Sequence, residues 1–252
     1  MIVNMDKRNI RLVPLDDDYY DIKLVDRKLS QEYVGPNTLF SDIGGAGGTD
    51  SLNWLMAGAK GCCVDINLGA LKKGKDLAKR HGVYDRISFI KASATNLPLI
   101  DNTFDLVTSF SVIDHIPPKT QAQKAISEFS RIAAPRGHVV VTVPNKLFLL
   151  GTVMVKAKML TQKDSFFEQR FTPKEMSKYC AESNLQIIRY DSKYPLVVGR
   201  TVLTHNAPKF LQKMPTKILW SLIRLIEKLF AVMEERKILL LGARYGIDAV
   251  KI

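Results

Sequence analysis

The residues best placed to do chemistry are a loop almost bare of side chains, Gly44-Gly45-Ala46-Gly47-Gly48, and a carboxylate, Asp65, that ends the next apolar run. Glycines permit positive φ and let backbone amides come against a ligand with no Cβ in the way. A carboxylate can accept hydrogen bonds from two neighbouring hydroxyls, each charge-assisted bond contributing about 1.5 to 3 kcal/mol. Together the loop and the carboxylate read as half of a nucleoside site. Both need strands to hold them. Leu39-Phe40-Ser41-Asp42-Ile43 reads as a buried parallel strand running into the loop, and a helix opening near Thr49-Asp50 points its N-terminus at the same place. Cys62-Cys63-Val64-Asp65 is the following strand, and it ends on the carboxylate.

The dinucleotide pattern Gly-x-Gly-x-x-Gly fails, because Thr49 stands at the third glycine position. The spacing Asp42-x-Gly44-x-Ala46-x-Gly48 is followed instead by a different series of landmarks. Phe89-Ile90-Lys91-Ala92-Ser93-Ala94-Thr95-Asn96-Leu97-Pro98 holds a third strand and a short polar turn. Phe104 to Ser109 reads as a fourth strand, with Ser111-Val112-Ile113-Asp114-His115-Ile116 directly after it. Next come a helix capped by Thr120 with Gln123 in the capping-box position, the turn Ala134-Pro135-Arg136-Gly137 and a fifth strand, Val139 to Val143.

In that order the stretch 39–145 resembles the core of the class I S-adenosylmethionine-dependent methyltransferases, within them the small-molecule group of the ubiquinone and menaquinone biosynthesis type (methyltransferase type 11). The resemblance implies an α/β fold: a Rossmann-like seven-stranded sheet in the order 3-2-1-4-5-7-6, strand 7 antiparallel, with helices on both faces and helical lid insertions. It implies S-adenosyl-L-methionine as cofactor. The binding residues would be Asp42, Gly44, Gly45, Ala46 and Gly48 around the loop, Asp65 with Ile66, Ser93, Ala94 and Thr95 at the adenine edge, and Ser109 and Phe110 at the methionine end. Ser93 stands where the family usually has an aspartate, so an uncharged and looser or water-mediated adenine contact is expected. His115 is the candidate catalytic base, with Asp114 orienting it or acting in its place. Related quinone O-methyltransferases carry two acidic residues and a histidine here, some with a divalent ion; Ser111 occupies the first acidic position, so no metal is expected.

A chain of 252 residues suits one methyltransferase domain over 1–252. Its expected parts are an N-terminal helical cap, 1–38, the cofactor-binding core, 39–145, and substrate-side insertions at 146–170 and 195–240. In the cap, residues 16–34 place Tyr19, Tyr20, Leu24, Val25, Leu29 and Tyr33 at near-helical spacing, and Gly35-Pro36-Asn37 ends that helix. Thr172-Pro173-Lys174-Glu175 starts a later helix, Thr172 capping it and Glu175 reaching back. Gln186 to Tyr190 is the sixth strand and Arg244 to Lys251 the seventh. In the second insertion Lys217, Ser221, Arg224 and Lys228 form a narrow polar stripe on an apolar helix, which suits a lid, the roof of an apolar tunnel or a helix lying on a membrane.

The net charge of +12 gathers in residues 144–252, which hold 19 basic against 9 acidic side chains. That surplus suits an anionic partner: a membrane surface, a phosphorylated or carboxylated substrate, or nucleic acid. Met1 to Asp21 mixes both charges and no uncharged apolar run approaches a membrane span, so the expected location is cytoplasmic, with peripheral contact at an anionic membrane as a further option. Cys62 and Cys63 should face opposite sides of a strand and Cys180 should lie in a helix, which argues against a disulfide framework. His81, His138 and His205 show no partner spacing. The expected activity is methyl transfer to a small, lipophilic or bulky acceptor, at oxygen or carbon. The alternatives are RNA methylation and a catalytically inactive S-adenosylmethionine-binding regulator. Nucleic acid is the less favoured partner, since Asp114-His115-Ile116-Pro117-Pro118 is not the Asn/Asp-Pro-Pro-aromatic motif of amino-directed base methylases and no cysteine lies near it. Nothing in the sequence speaks to oligomeric state.

Overall fold

Leu39–Ile43 and Phe104–Phe110 bury side chains of both parities, which a strand does only when both faces of its sheet are covered. In the computed structural model, which describes residues 29–148, 167–193 and 244–252, they are neighbours at the centre of such a sheet. Its strands are β1 (Leu39–Ile43), β2 (Lys60–Asp65), β3 (Ile87–Lys91), β4 (Phe104–Phe110), β5 (Ala133–Pro144), β6 (Leu185–Lys193) and β7 (Arg244–Lys251). Their order is β3-β2-β1-β4-β5-β7-β6, with β1 to β5 parallel and β7 antiparallel to both neighbours.

Helices cover the two faces in separate groups. On one face α1 (Thr49–Met56) buries Leu52, Trp54 and Leu55, and α2 (Leu68–Arg80) buries Leu71, Gly74 and Ala78 at helical spacing. On the other, α3 (Lys119–Ile132) buries Ala122, Ala125, Ile126, Phe129 and Ile132, and α4 (Pro173–Glu182) buries Met176 and Cys180. Cys62 and Cys63 belong to the two different cores, as alternation along β2 requires, and all three cysteines are free thiols. The capping box of α4 is formed, with Thr172 Oγ1 accepting from the Glu175 amide and the Glu175 carboxylate accepting from the Thr172 amide.

Two local expectations are corrected. Helix α3 starts at Lys119, with Pro118 at the cap and no side-chain cap, so Thr120 lies within the first turn. Gln123 donates to Glu182 of α4 instead of closing a capping box (2.6 Å). Strand β5 begins at Ala133 and not Val139, because the stretch Ala134 to Gly137 is an irregularity inside it. The register to β4 shifts between Phe104 and Leu106, and Arg136 turns back with φ of 65°. Of the residues expected in the N-terminal helix, Leu29 and Ser30 are described and helical, and a 3-10 turn, Gln31–Tyr33, follows. Tyr19, Tyr20, most of the first insertion and the whole of 195–240 lie outside them.

Candidate active site

In a parallel sheet the loops that gather ligands leave the carboxyl ends of the strands, where the order of connection reverses. Here that point lies between β1 and β4. The loop after β1 is tied to β2 by the Gly44 amide, which donates to the Val64 carbonyl (2.6 Å). Gly44 has φ of 73° and its hypothetical Cβ would lie 2.2 Å from Val112 Cγ2, so both conformation and space demand glycine. Asp42 braces the loop from behind. It is 2% exposed, and its two oxygens accept from Thr108 of β4 (3.1 Å) and Ser51 of α1 (2.7 Å).

Asp65 is held by the loop it faces. Its Oδ2 accepts from the Ala46 amide (2.9 Å) and its Oδ1 from the Asn67 amide (2.7 Å), which fixes the carboxylate and leaves each oxygen a further acceptor site. Asn67 in turn caps α2, accepting from Ala70 (3.1 Å). Ser93 and Thr95 share a hydroxyl hydrogen bond across the polar turn after β3 (2.9 Å).

These strand ends surround a cavity of about 360 Å3 lined by Gly44, Asp65, Ile66, Ser93, Ala94 and His115, together with Ile43, Val64, Ala92, Ser111, Val112, Ile116 and Pro117. The volume lies within the range of about 300 to 1,000 Å3 usual for small-ligand sites. Ile66 is 71% exposed and offers an apolar wall beside Asp65. Gly45, Ala46 and Gly48 shape the loop behind the lining, and Thr95 stands beside Ser93 outside it. Ser109 and Phe110 are not among the lining residues. They belong to β4 and are buried, Phe110 against Trp54, and the end of this strand reaches the cavity through Ser111 and Val112. Ser111 has φ of 57°, a conformation uncommon outside glycine, so the chain turns sharply there.

His115 closes the 3-10 turn Ile113–His115, and the segment 167–169 clasps that turn. The Gln169 amide donates to the Asp114 carbonyl (2.8 Å), and Gln169 Nε2 donates to the carbonyls of Ile113 (2.9 Å) and Ile116 (2.7 Å). The Phe167 carbonyl lies 2.7 Å from His115 Nδ1. A carbonyl only accepts, so Nδ1 carries the hydrogen and the neutral ring has its lone pair on Nε2. Nε2 is 3.5 Å from Asp114 Oδ2. Asp114 is 1% exposed and neither carboxylate oxygen has a hydrogen bond. Burial pushes its carboxyl above the ordinary range, against the pull of Arg244 and His115.

Gln169 and Phe167 fall within the first insertion, 146–170. Nothing local in sequence marks them, since their role exists only where the chain returns to β5 beside Asn145. Among the described residues no group of three His, Cys, Asp or Glu side chains is placed to hold a metal ion. Burial pushes the Cys62 thiol up to about 11 and Cys180 to about 12, so neither is a ready nucleophile.

Comparison with known proteins bears on the core sequence and the fold. Residues 41–141 match the family model described as methyltransferase domain. The chain is 37% identical over 118 residues to a demethylmenaquinone methyltransferase of Renibacterium salmoninarum, a stretch covering 46% of each chain. It is 35% identical over 101 residues to a norajmaline N-methyltransferase of Rauvolfia serpentina, covering 40% of this chain and 34% of that one. The matched stretch thus spans less than half the length of either relative. Among solved structures, the geranyl diphosphate C-methyltransferase of Streptomyces coelicolor A3(2) superposes with a TM-score of 0.62 at 13% identity, over 93% of this chain and 78% of that one, and so shares the fold. Motif order, sheet topology and sequence similarity converge on the same stretch: residues 41–141 are similar in sequence to methyltransferase domains, and the sheet around them has the order that the resemblance implies.

Proposed function

We propose that the protein transfers a methyl group from S-adenosylmethionine to a small, lipophilic or bulky acceptor, at oxygen or carbon. The observation that carries this reading is one cavity whose lining brings together Gly44 of the glycine loop, Asp65 and His115. S-adenosylmethionine supplies an electrophilic methyl group on a sulfonium. The chain supplies the rest. Asp65 would accept the ribose hydroxyls, Ser93 and the Ala94 amide would meet the adenine edge, and the loop amides would bind the amino-acid end. His115 and Asp114 would take the proton that a hydroxyl or acidic carbon gives up as it becomes a nucleophile. The walls of Ile66, Val112 and Ile116 would exclude water and hold the reactants in line.

The curated relatives are named for methyl transfer to demethylmenaquinone in one and to norajmaline in the other, which supports a small-molecule acceptor. The basic surplus of residues 144–252 supports an acceptor or surface of negative charge, in keeping with cytoplasmic work at or near a membrane. No helix among the described residues is long and apolar enough to cross one. The same surplus favours RNA as the second reading.

The test is turnover of purified protein with S-adenosylmethionine and separate small-molecule, lipid and RNA fractions of a cell extract, read by mass spectrometry. The expected result is S-adenosylhomocysteine and a product heavier by one methyl in the small-molecule or lipid fraction. Turnover confined to RNA would replace the reading with the second one, and none in any fraction would favour the regulator.

A further inference from the structure

Residues 67–91 hold seven basic side chains against two acidic ones, whereas the rest of the 38–143 stretch holds five against seven. The cationic charge of the core is thus gathered on α2, the 3-10 turn Tyr84–Arg86 and β3. Among the described residues none of the seven forms an ion pair with an acidic side chain, although Lys119, Arg131, Arg170, Lys178 and Arg189 all do. Lys72, Lys75 and Lys79 recur at three and four residues, so α2 carries like charges side by side, an arrangement that opposes helix formation. Lys75 and Lys79 each place Nζ 5.3 Å from the centre of the Tyr84 ring. The ring offsets part of their repulsion and draws both ammonium groups to one place.

The surface there is hollow. A cavity of about 540 Å3 opens between α2 and β3, the strand at the edge of the sheet, and it shares no lining residue with the cavity of the candidate active site. Buried Leu71 and Ile87 and half-buried Phe89 give it an apolar floor, and Lys72, Lys75 and Lys91, all exposed, give it a cationic rim. Phe89 is held in place, since its Cε1 lies 2.7 Å from where a Cβ on Gly74 would stand and 3.3 Å from one on Gly48. Leu68, Tyr84 and Ser88 complete the lining. A concave site with a fixed apolar floor and polar groups of one sign fits a ligand with an apolar part and an anionic part. Lysines, compact charges on long stems, suit the oxygens of a phosphate. A flat bilayer surface would meet the rim and leave the floor uncovered.

We propose that this groove is a second ligand site, which takes a soluble phosphorylated molecule with a flat or apolar body, its phosphate among Lys72, Lys75 and Lys91 and its body on Phe89 and Leu68. The site does not depend on the methyl-transfer reading, because no residue assigned to cofactor or proton transfer takes part in it.

The test is calorimetric titration of the full chain at physiological salt with naphthyl phosphate, with its neutral counterpart naphthol and with inorganic phosphate. Saturable one-site binding of naphthyl phosphate is expected, about ten-fold or more tighter than either of the others, since each of those lacks one part of the ligand. The double variant Lys72→Gln/Lys75→Gln should weaken it by about ten-fold or more, Lys72→Arg/Lys75→Arg should keep most of it, and Asp65→Ala should leave it unchanged. Both lysines are exposed, so an unchanged melting temperature checks that the glutamine variant is folded. Absence of saturable binding, or equal affinity in wild type and the glutamine variant, would overturn the proposal. Lysine-dependent sedimentation with phosphatidic acid vesicles in a protein that does not bind naphthyl phosphate would overturn it too, and would assign the surface to a membrane.

Discussion

Gly44 shows how a residue can be legible in a sequence for an incomplete reason. The loop pattern marks it as a point where a ligand approaches backbone, but the structure adds a contact within the protein, since a Cβ there would lie 2.2 Å from Val112 Cγ2. Gly44→Val should therefore do two kinds of damage, lowering thermal stability and abolishing measurable S-adenosylhomocysteine binding. Scanning fluorimetry with and without the ligand reads both, and a variant as stable as wild type that still shifts with ligand would contradict the packing argument. For His115 the prediction is kinetic. His115→Ala should lower turnover by about two to four powers of ten with cofactor affinity nearly intact, because proton removal is needed only as the bond forms. Equal loss of cofactor binding would mark the ring as structural. His115 and Asp114 stood out in the sequence because they directly follow a strand end, whereas the groups that orient them, Phe167 and Gln169, are more than 50 residues away and carry no local mark.

At the scale of elements, local chemistry was readable wherever the partners lie within one turn. The Thr172 to Glu175 box forms as its spacing predicts, and the same spacing misleads at Thr120 because Pro118 starts the helix earlier and Glu182 engages Gln123 across helices. A second inter-element contact positions the turn that carries Ser93. Arg131 of α3 donates to the Leu97 and Leu99 carbonyls and pairs with Glu128 and Asp101, pinning the chain after β3 to the helix. Its hydrogen bond holds the Glu128 carboxyl below its ordinary value, with burial opposing. Arg131→Met should cost about 1 to 3 kcal/mol near pH 7, a figure kept modest because the side chains are partly exposed. The sign with pH follows from the depressed value: this stabilisation is present above the ordinary glutamate range and is lost as pH falls through the folded value. The gap between wild type and variant in urea should thus narrow on acidification below about pH 4.5. A gap that widens instead would remove Glu128 from the account.

At the scale of the whole molecule, the sheet order follows from strand signals and family resemblance, but what ties the ends of the chain to its middle does not. His138 shows no partner by spacing because its partner is 110 residues on: Nδ1 lies 3.0 Å from Asp248 Oδ1, and the ring stacks on Tyr33. Tyr33 also donates to Asp248, and Arg189 of β6 lies 3.5 Å from it and pairs with Glu32. Asp248 is wholly buried at the crossing of β5, β6, β7 and the N-terminal turn. Asp248→Asn removes the charge that Arg189 and His138 face, and should lower Tm by about 3 to 10 °C with ligand affinity kept. An unchanged Tm would show that the cluster adds nothing to stability. On the proposed reading these contacts serve a frame that holds one cofactor, and that claim is tested most directly by calorimetric titration of S-adenosylhomocysteine into wild type and Asp65→Ala. The account predicts saturable one-site binding to the wild type and affinity about ten-fold or more weaker in the variant, because two ribose hydroxyls lose a charged acceptor. No binding to the wild type, or equal affinity in both proteins, would contradict it.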